Sequence, residues 1–91
     1  MAALDLLGRR GTLRILWELR DGAPRTFRAL QSEAELSPAT LNTRVHELRE
    51  AGLIDAEDGY RLAPIGVSLL PALLPLQNWA NLWAKGGHAP R

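Results

Sequence analysis

"LSPATLNTRVHELREAGL", residues 36–53, carries the punctuation of one complete helix. Ser37 is placed to accept hydrogen bonds from the orphan amides of the next turn, and Pro38 takes the first helical position, where its missing N–H costs nothing. Leu41, Val45 and Leu48 fall on one face at helical spacing, and Gly52 stands where a left-handed cap ends such a helix. The spacing predicts a sharply bounded helix over residues 38–51 with a single apolar face. Its first half is polar and uncharged; its second half sets Arg44 and Arg49 against Glu47 and Glu50.

Upstream, "FRALQSEAE" has Phe27, Leu30 and Ala34 in the i, i+3, i+7 pattern behind a capping Thr26. Two helices joined by so short a turn, the second sharply capped, match the helix-turn-helix pattern. Before them, "RGTLRILWELRDG" places Leu13, Leu16 and Trp17 on one face and Ile15 and Leu19 on another, as a central helix does, with Gly22 and Pro24 to end it. Trp17 reads as core. "MAALDLLG" is a short helix stopped at Gly8, too brief to stand without a partner surface.

Downstream, "LIDAEDGYRL" gives two short apolar-bearing runs around Asp58-Gly59, the dipeptide favoured in a two-residue hairpin turn because it tolerates positive φ. A small β-hairpin is expected. "PIGVSLLPALLPLQNWANLWAK" carries more apolar surface than a one-sided helix needs, and Pro71 and Pro75 should each remove a backbone hydrogen bond, so a kinked helix or two segments is predicted. "GGHAPR" has no packing signal, and a mobile tail is expected over residues 86–91. The fold class is mainly α with a small β-hairpin, in the order of a winged helix-turn-helix, as one domain over residues 1–85.

Composition narrows the function. With 91 residues, 46% of them hydrophobic, the chain supports one core. No apolar run approaches the roughly 18 residues of a membrane span, and the N-terminus lacks a signal-peptide pattern, so a soluble cytoplasmic protein with no membrane partner is expected. The absence of cysteine excludes disulfides, thiolate zinc sites and thiol redox sensing. Net charge is only +1, but residues 1–30 hold six arginines against three carboxylates, while residues 31–63 hold three against seven. Any basic footprint must be assembled in space from the first third, or doubled by dimerisation.

Taken together, "ALDLLGRRGTLRILWELRDGAPRTFRALQ", "LSPATLNTRVHELREAGLI" and "YRLAPIGVSLLPALLPLQNWANLW" resemble the HxlR-type transcriptional regulators, a branch close to the MarR-like winged-helix proteins. The resemblance spans residues 3–83. It implies a homodimer joined through the first and last helices that binds operator DNA with the helix after "SP". Its implied dimer surface is Leu4, Leu7, Leu70, Leu73, Leu74, Trp79 and Trp83. The chain departs from the family pattern in three ways: it lacks the cysteine common ahead of the first helix, its wing is short and acidic, and Ala63 stands where threonine often caps the last helix. Thiol or aldehyde sensing is therefore not implied.

On the helix over residues 38–51, the 100° step puts Ala39, Thr43, His46 and Glu50 opposite the apolar face. N-terminal residues of a recognition helix usually lie deepest in the major groove, which favours Ser37, Thr40, Asn42 and Thr43 as base-edge contacts. The alternative is an ordinary solvated face. Arg44 flanks the core, positioned either for phosphate or for pairing with Glu47. His46 suits a base or phosphate contact or a plain exposed position, and with no second histidine near it a metal site is not expected. Arg25, Thr26 and Arg28 would hold the DNA backbone, because Arg61 is the only cation of a wing that carries Glu57 and Asp58 at its tip.

Trp79 and Trp83, four apart, form an aromatic stripe that suits dimer packing better than a ligand pocket, and "LLPALLPL" is too apolar to leave in water. No glycine-rich phosphate loop, activated nucleophile or paired carboxylate is present, so neither enzyme activity nor a cofactor is expected. Two partners fit: double-stranded DNA read by a homodimer, or a protein bound through the acidic middle third by an antirepressor or adaptor.

Overall fold

The computed structural model describes residues 2–87. Six helices and one hairpin follow in the order α1 (Ala2–Leu7), α2 (Thr12–Glu18), α3 (Phe27–Ala34), α4 (Pro38–Glu50), β1 (Ile54–Asp55), β2 (Arg61–Leu62), α5 (Pro64–Val67) and α6 (Leu70–Leu82). This is a winged helix-turn-helix, mainly α with one two-stranded antiparallel sheet. After α6 the chain keeps coiling through Trp83–Gly87 but leaves helical backbone at Gly86, where φ is 109°. Of the tail expected over residues 86–91, residues 88–91 lie outside the described residues, His88 among them.

As expected, α2 is central. Thr12, Ile15, Leu16 and Leu19 are fully buried, and Leu30, Ala34, Leu41, Val45, Leu48, Ile54, Leu62 and Leu73 complete the core. Trp17 is half-buried rather than interior, with the Arg20 guanidinium 3.9 Å over its ring centroid. The helix also closes earlier than Gly22 and Pro24 suggest: its last residue is Glu18, and the turn after it is held by the Gly22 N–H to the Leu19 carbonyl at 3.2 Å.

The caps of the helix-turn-helix behave as their chemistry dictates. Thr26 Oγ1 accepts from the Ala29 N–H at 3.0 Å, and Ser37 Oγ accepts from the Thr40 N–H at 3.2 Å. Between the two helices Glu35 takes a left-handed conformation at φ 56°, which lets the Leu36 N–H reach back to the Gln31 carbonyl. Beyond α4, Gly52 at φ 77° turns the chain so that the Leu53 N–H bonds the Leu48 carbonyl.

The wing differs from the expected two-residue turn. Ile54 pairs with Leu62 and Asp55 with Arg61, a register that leaves an odd number of residues at the tip. A type I′ turn needs positive φ at both central residues, whereas Gly59 takes φ 93° and Asp58 stays on the negative side. Arg25 extends the sheet: its N–H donates to the Tyr60 carbonyl at 2.9 Å, and the Tyr60 N–H returns to the Arg25 carbonyl at 2.7 Å.

The proline-rich segment divides into two helices, but not at the prolines. The break falls at Ser68 and Leu69, and Pro71 occupies the first turn of α6, where no intrahelical bond is lost; Pro75 alone lies inside. Ala63 precedes α5 with no side-chain cap. No described helix is long and apolar enough to cross a membrane.

Candidate nucleic-acid interface

Helix α4 presents its polar stripe to solvent. Ser37, Ala39, Asn42, Thr43, His46, Arg49 and Glu50 are exposed, and Thr40 is half-buried beside them. The hydroxyls at the N-terminal end are ordered: Ser37 Oγ donates to Thr40 Oγ1 at 3.0 Å, and Thr43 Oγ1 donates to the Ala39 carbonyl at 3.0 Å. The Thr43 oxygen keeps lone pairs for an outside donor, and the Asn42 amide is unengaged among the described residues, with both donor and acceptor available. His46 Nε2 lies 3.6 Å from Glu50 Oε1, an ion pair only when the imidazole is protonated.

Two of the sequence-derived phosphate contacts are already occupied. Arg25 donates to Asp21 at 2.9 Å, to Glu33 at 3.1 Å and to the Ala23 carbonyl at 3.0 Å. The hydrogen bond to Asp21 is the main cause of a raised Arg25 pKa, and the same bond, with the Ala23 N–H, holds the Asp21 carboxyl below its ordinary value. Arg44 donates to the Arg10 carbonyl at 2.8 Å and to Glu47 at 2.9 Å, which decides between its two expected positions in favour of Glu47. Both guanidiniums therefore fix the chain to itself.

Arg28 is exposed on the first turn of α3 with no ion-pair partner among the described residues, and Thr26 caps that helix beside it. Arg61 is half-buried in the wing, facing a small pocket it shares with Asp55, Glu57 and Asp58. Its positive field is offset by three carboxylates.

Two features escaped sequence reasoning. Glu47 is bound by Arg9 as well as Arg44, and although desolvation pushes its carboxyl upward, the hydrogen bonds from Arg44 and Arg9 outweigh that and hold it below its ordinary value. Nothing local announces a pair 38 positions apart. Arg49, on the same exposed face as His46, is a further cation with no ion-pair partner among the described residues; its helical position contains the signal, since it falls three residues after His46. Between the C-terminal half of α4 and the wing lies a cleft of about 530 Å³ lined by His46, Arg49, Glu50, Ile54, Asp55, Ala56 and Glu57. Among the described residues there is no cluster of three or more histidines or carboxylates able to hold a metal ion.

The family model described as a helix-turn-helix domain matches residues 12–57, from the start of α2 to the tip of the wing. The chain belongs to that helix-turn-helix family. Among solved structures it is similar to quinone-bound YodB from B. subtilis, with a TM-score of 0.79 and 26% identity over 89% of this chain and 93% of that one. It also shares its fold with the MarR family protein Rv2887 of Mycobacterium tuberculosis, at a TM-score of 0.69 and 22% identity over 91% of this chain and 65% of that one. No curated protein matches it. The helix-turn-helix of this chain thus sits in a winged-helix fold shared with these structures over 89% and 91% of its length.

The apolar surface expected at the dimer seam is only partly available. Leu73 is buried against the core of its own protomer, because it faces Leu13 and Trp17 across a groove between α2 and α6. Leu7 and Leu70 are half-buried. Leu4, Leu74, Trp79 and Trp83 are exposed, Trp79 to 57%, and Trp79 stacks on Trp83 at 6.3 Å between centroids. Ile65, Val67, Leu76 and Leu82 are exposed as well.

Proposed function

We propose that the chain is a homodimeric, DNA-binding transcriptional regulator of the HxlR type, which works in the cytoplasm without catalytic activity and reads a pseudo-palindromic operator with one α4 per half-site. The observation that carries this reading is the Ser37-capped α4 of a helix-turn-helix with Asn42 and Thr43 solvent-facing and hydrogen-bonding capacity to spare. Ser37, Thr40, Asn42 and Thr43 contact base edges, and His46 lies further along the groove. Arg28, beside Thr26, and Arg49 contact phosphate. Arg25 and Arg44 support the wing and α4 from behind, and Arg61 adds little.

Dimerisation is supported by the exposed apolar side chains of α1, α5, α6 and the turn after it, among them Leu4, Ile65, Trp79 and Trp83, which a second copy covers. Two half-site contacts of modest strength then combine on one duplex.

Selection from a random duplex pool by the purified protein, with the winners' affinity followed against salt, tests the proposal. Enrichment of an inverted repeat with half-sites about one helical turn apart and a steep salt slope supports it. Failure to enrich anything at low salt refutes it.

One observation favours a second reading, a protein-binding winged helix acting as antirepressor or adaptor: Glu50, Asp55 and Glu57 line the cleft between α4 and the wing, where a DNA backbone would be repelled. A protein partner that the charge-reversed Glu57→Lys variant loses, in a protein with no duplex affinity, supports this alternative.

A further inference from the structure

We propose that Glu47 is a positioning residue for DNA recognition, which locks α4 to the turn after α1 by holding Arg9 and Arg44 together. The inference rests on the DNA-reading function above. Three contacts make the lock: Glu47 Oε1 accepts from Arg44 Nη1 at 2.9 Å, Glu47 Oε2 accepts from Arg9 Nη1, and Arg44 Nε donates to the Arg10 carbonyl at 2.8 Å. Arg44 and Glu47 side chains are 19% and 21% exposed, whereas Glu50, less than one turn further on, is 73% exposed. The two carboxylates of α4 therefore do different things despite equal charge.

The turn that receives α4 is itself tight. The Gly8 N–H bonds the Leu4 carbonyl, the Arg9 N–H the Leu6 carbonyl and the Thr12 N–H the Arg9 carbonyl, while Leu36 packs on the bare Cα of Gly11. α1 carries Leu4, 60% exposed on the face assigned to the second copy. A change of packing at that seam reaches the base-reading helix through residues 8–11 and the Glu47 carboxylate. A bridged, partly buried carboxylate fixes the direction of both guanidiniums, which a solvated one does not.

The test compares Glu47→Gln and Arg9→Gln, which cut the same link from opposite ends, with Glu50→Gln, which removes the same charge outside it. Each full-length variant is measured for amide exchange at Arg9 and Thr12, and for affinity to the duplex selected by the wild type and to a random-sequence duplex of equal length. The expected result is faster exchange in Glu47→Gln and Arg9→Gln only, with the ratio of selected to random affinity falling about tenfold in both, within the usual range for coupled sites. Glu50→Gln should tighten both duplexes and keep the ratio. If Glu47→Gln behaves like Glu50→Gln, Glu47 acts through charge alone and the proposal is wrong. If exchange accelerates but the wild type binds no duplex, the DNA reading has failed, and the positioning role falls with it.

Discussion

A Cβ placed on Gly66 would stand 2.1 Å from the carbonyl oxygen of Leu53. That oxygen also accepts from the Ala63 N–H at 2.9 Å, so α5 is seated directly on the end of the helix-turn-helix. The contact is backbone to backbone and has no flexible side chain to yield. Gly66→Ala should therefore destabilise the protein by about 2 kcal/mol, as overpacking in a rigid site does, and chemical denaturation would show it as a lower midpoint at unchanged slope. An unchanged midpoint would mean that α5 can shift away from Leu53.

Thr12 Oγ1 is buried with no hydrogen-bond partner. Burying an unpaired hydroxyl costs roughly 1–3 kcal/mol, and valine keeps the branched shape without the polar atom. Thr12→Val should stabilise the fold by about 1 kcal/mol, which in a domain of this size raises Tm by roughly 4–8 °C. A lower Tm would mean that the hydroxyl is satisfied in solution.

The Asp21–Arg25 pair anchors the residue that extends the wing sheet. Because the folded state depresses the Asp21 pKa, through its hydrogen bonds from Arg25 and the Ala23 N–H, its contribution is fully present above the ordinary carboxylate pKa. It is lost as pH falls through the depressed value. Between about pH 5 and pH 2, the stability of wild type should fall more steeply than that of Asp21→Asn. Parallel curves from thermal melts across that window would remove Asp21 from the account.

Asn42 and Arg28 should separate by the kind of binding each supports. Asn42→Ala is expected to relax sequence preference, at about 1–3 kcal/mol for the favoured base, with little change on random duplex. Arg28→Ala should weaken all duplexes alike and lower the salt slope by about one. Titrations of both variants against both duplexes would decide it, and a uniform loss in each would end the division of roles.

Trp79 and Leu82 are 57% and 64% exposed on α6. Introducing a charge at either, as Trp79→Glu or Leu82→Glu, should shift the protein towards monomer in sedimentation experiments, because a carboxylate cannot be desolvated in an apolar seam without a partner. An unchanged sedimentation coefficient would place the interface elsewhere.

The elements readable from sequence are those with strong local chemistry. Ser37-Pro38 and Gly52 bound α4, and Leu41, Val45 and Leu48 define its inner face, because capping and helical periodicity act within a few residues. The hairpin was legible at Asp58-Gly59 but its register was not, since the dipeptide permits positive φ at both residues and Tyr60's pairing with Arg25 settles the wing from outside it. Arg25 and Arg44 illustrate the limit at the site. Their charges are plain in the sequence, yet Glu33, eight positions from Arg25, and the Arg10 carbonyl, 34 from Arg44, become neighbours only once α2, α3 and α4 have packed. Leu73 turned inward for the same reason: its helix presents apolar residues all round, so periodicity could not choose the face that meets α2.

At the tip of the wing, only Gly59 crosses into left-handed backbone, and a Cβ placed on it would stand 3.1 Å from the Arg25 carbonyl oxygen. Glu57 and Asp58 are exposed and keep ordinary backbone. Shape and charge are therefore encoded by different residues. A lysine in place of either acid would cancel the net charge of the pair and leave the trajectory of the tip intact, so the grip of this wing on a polyanion is adjustable by single substitutions.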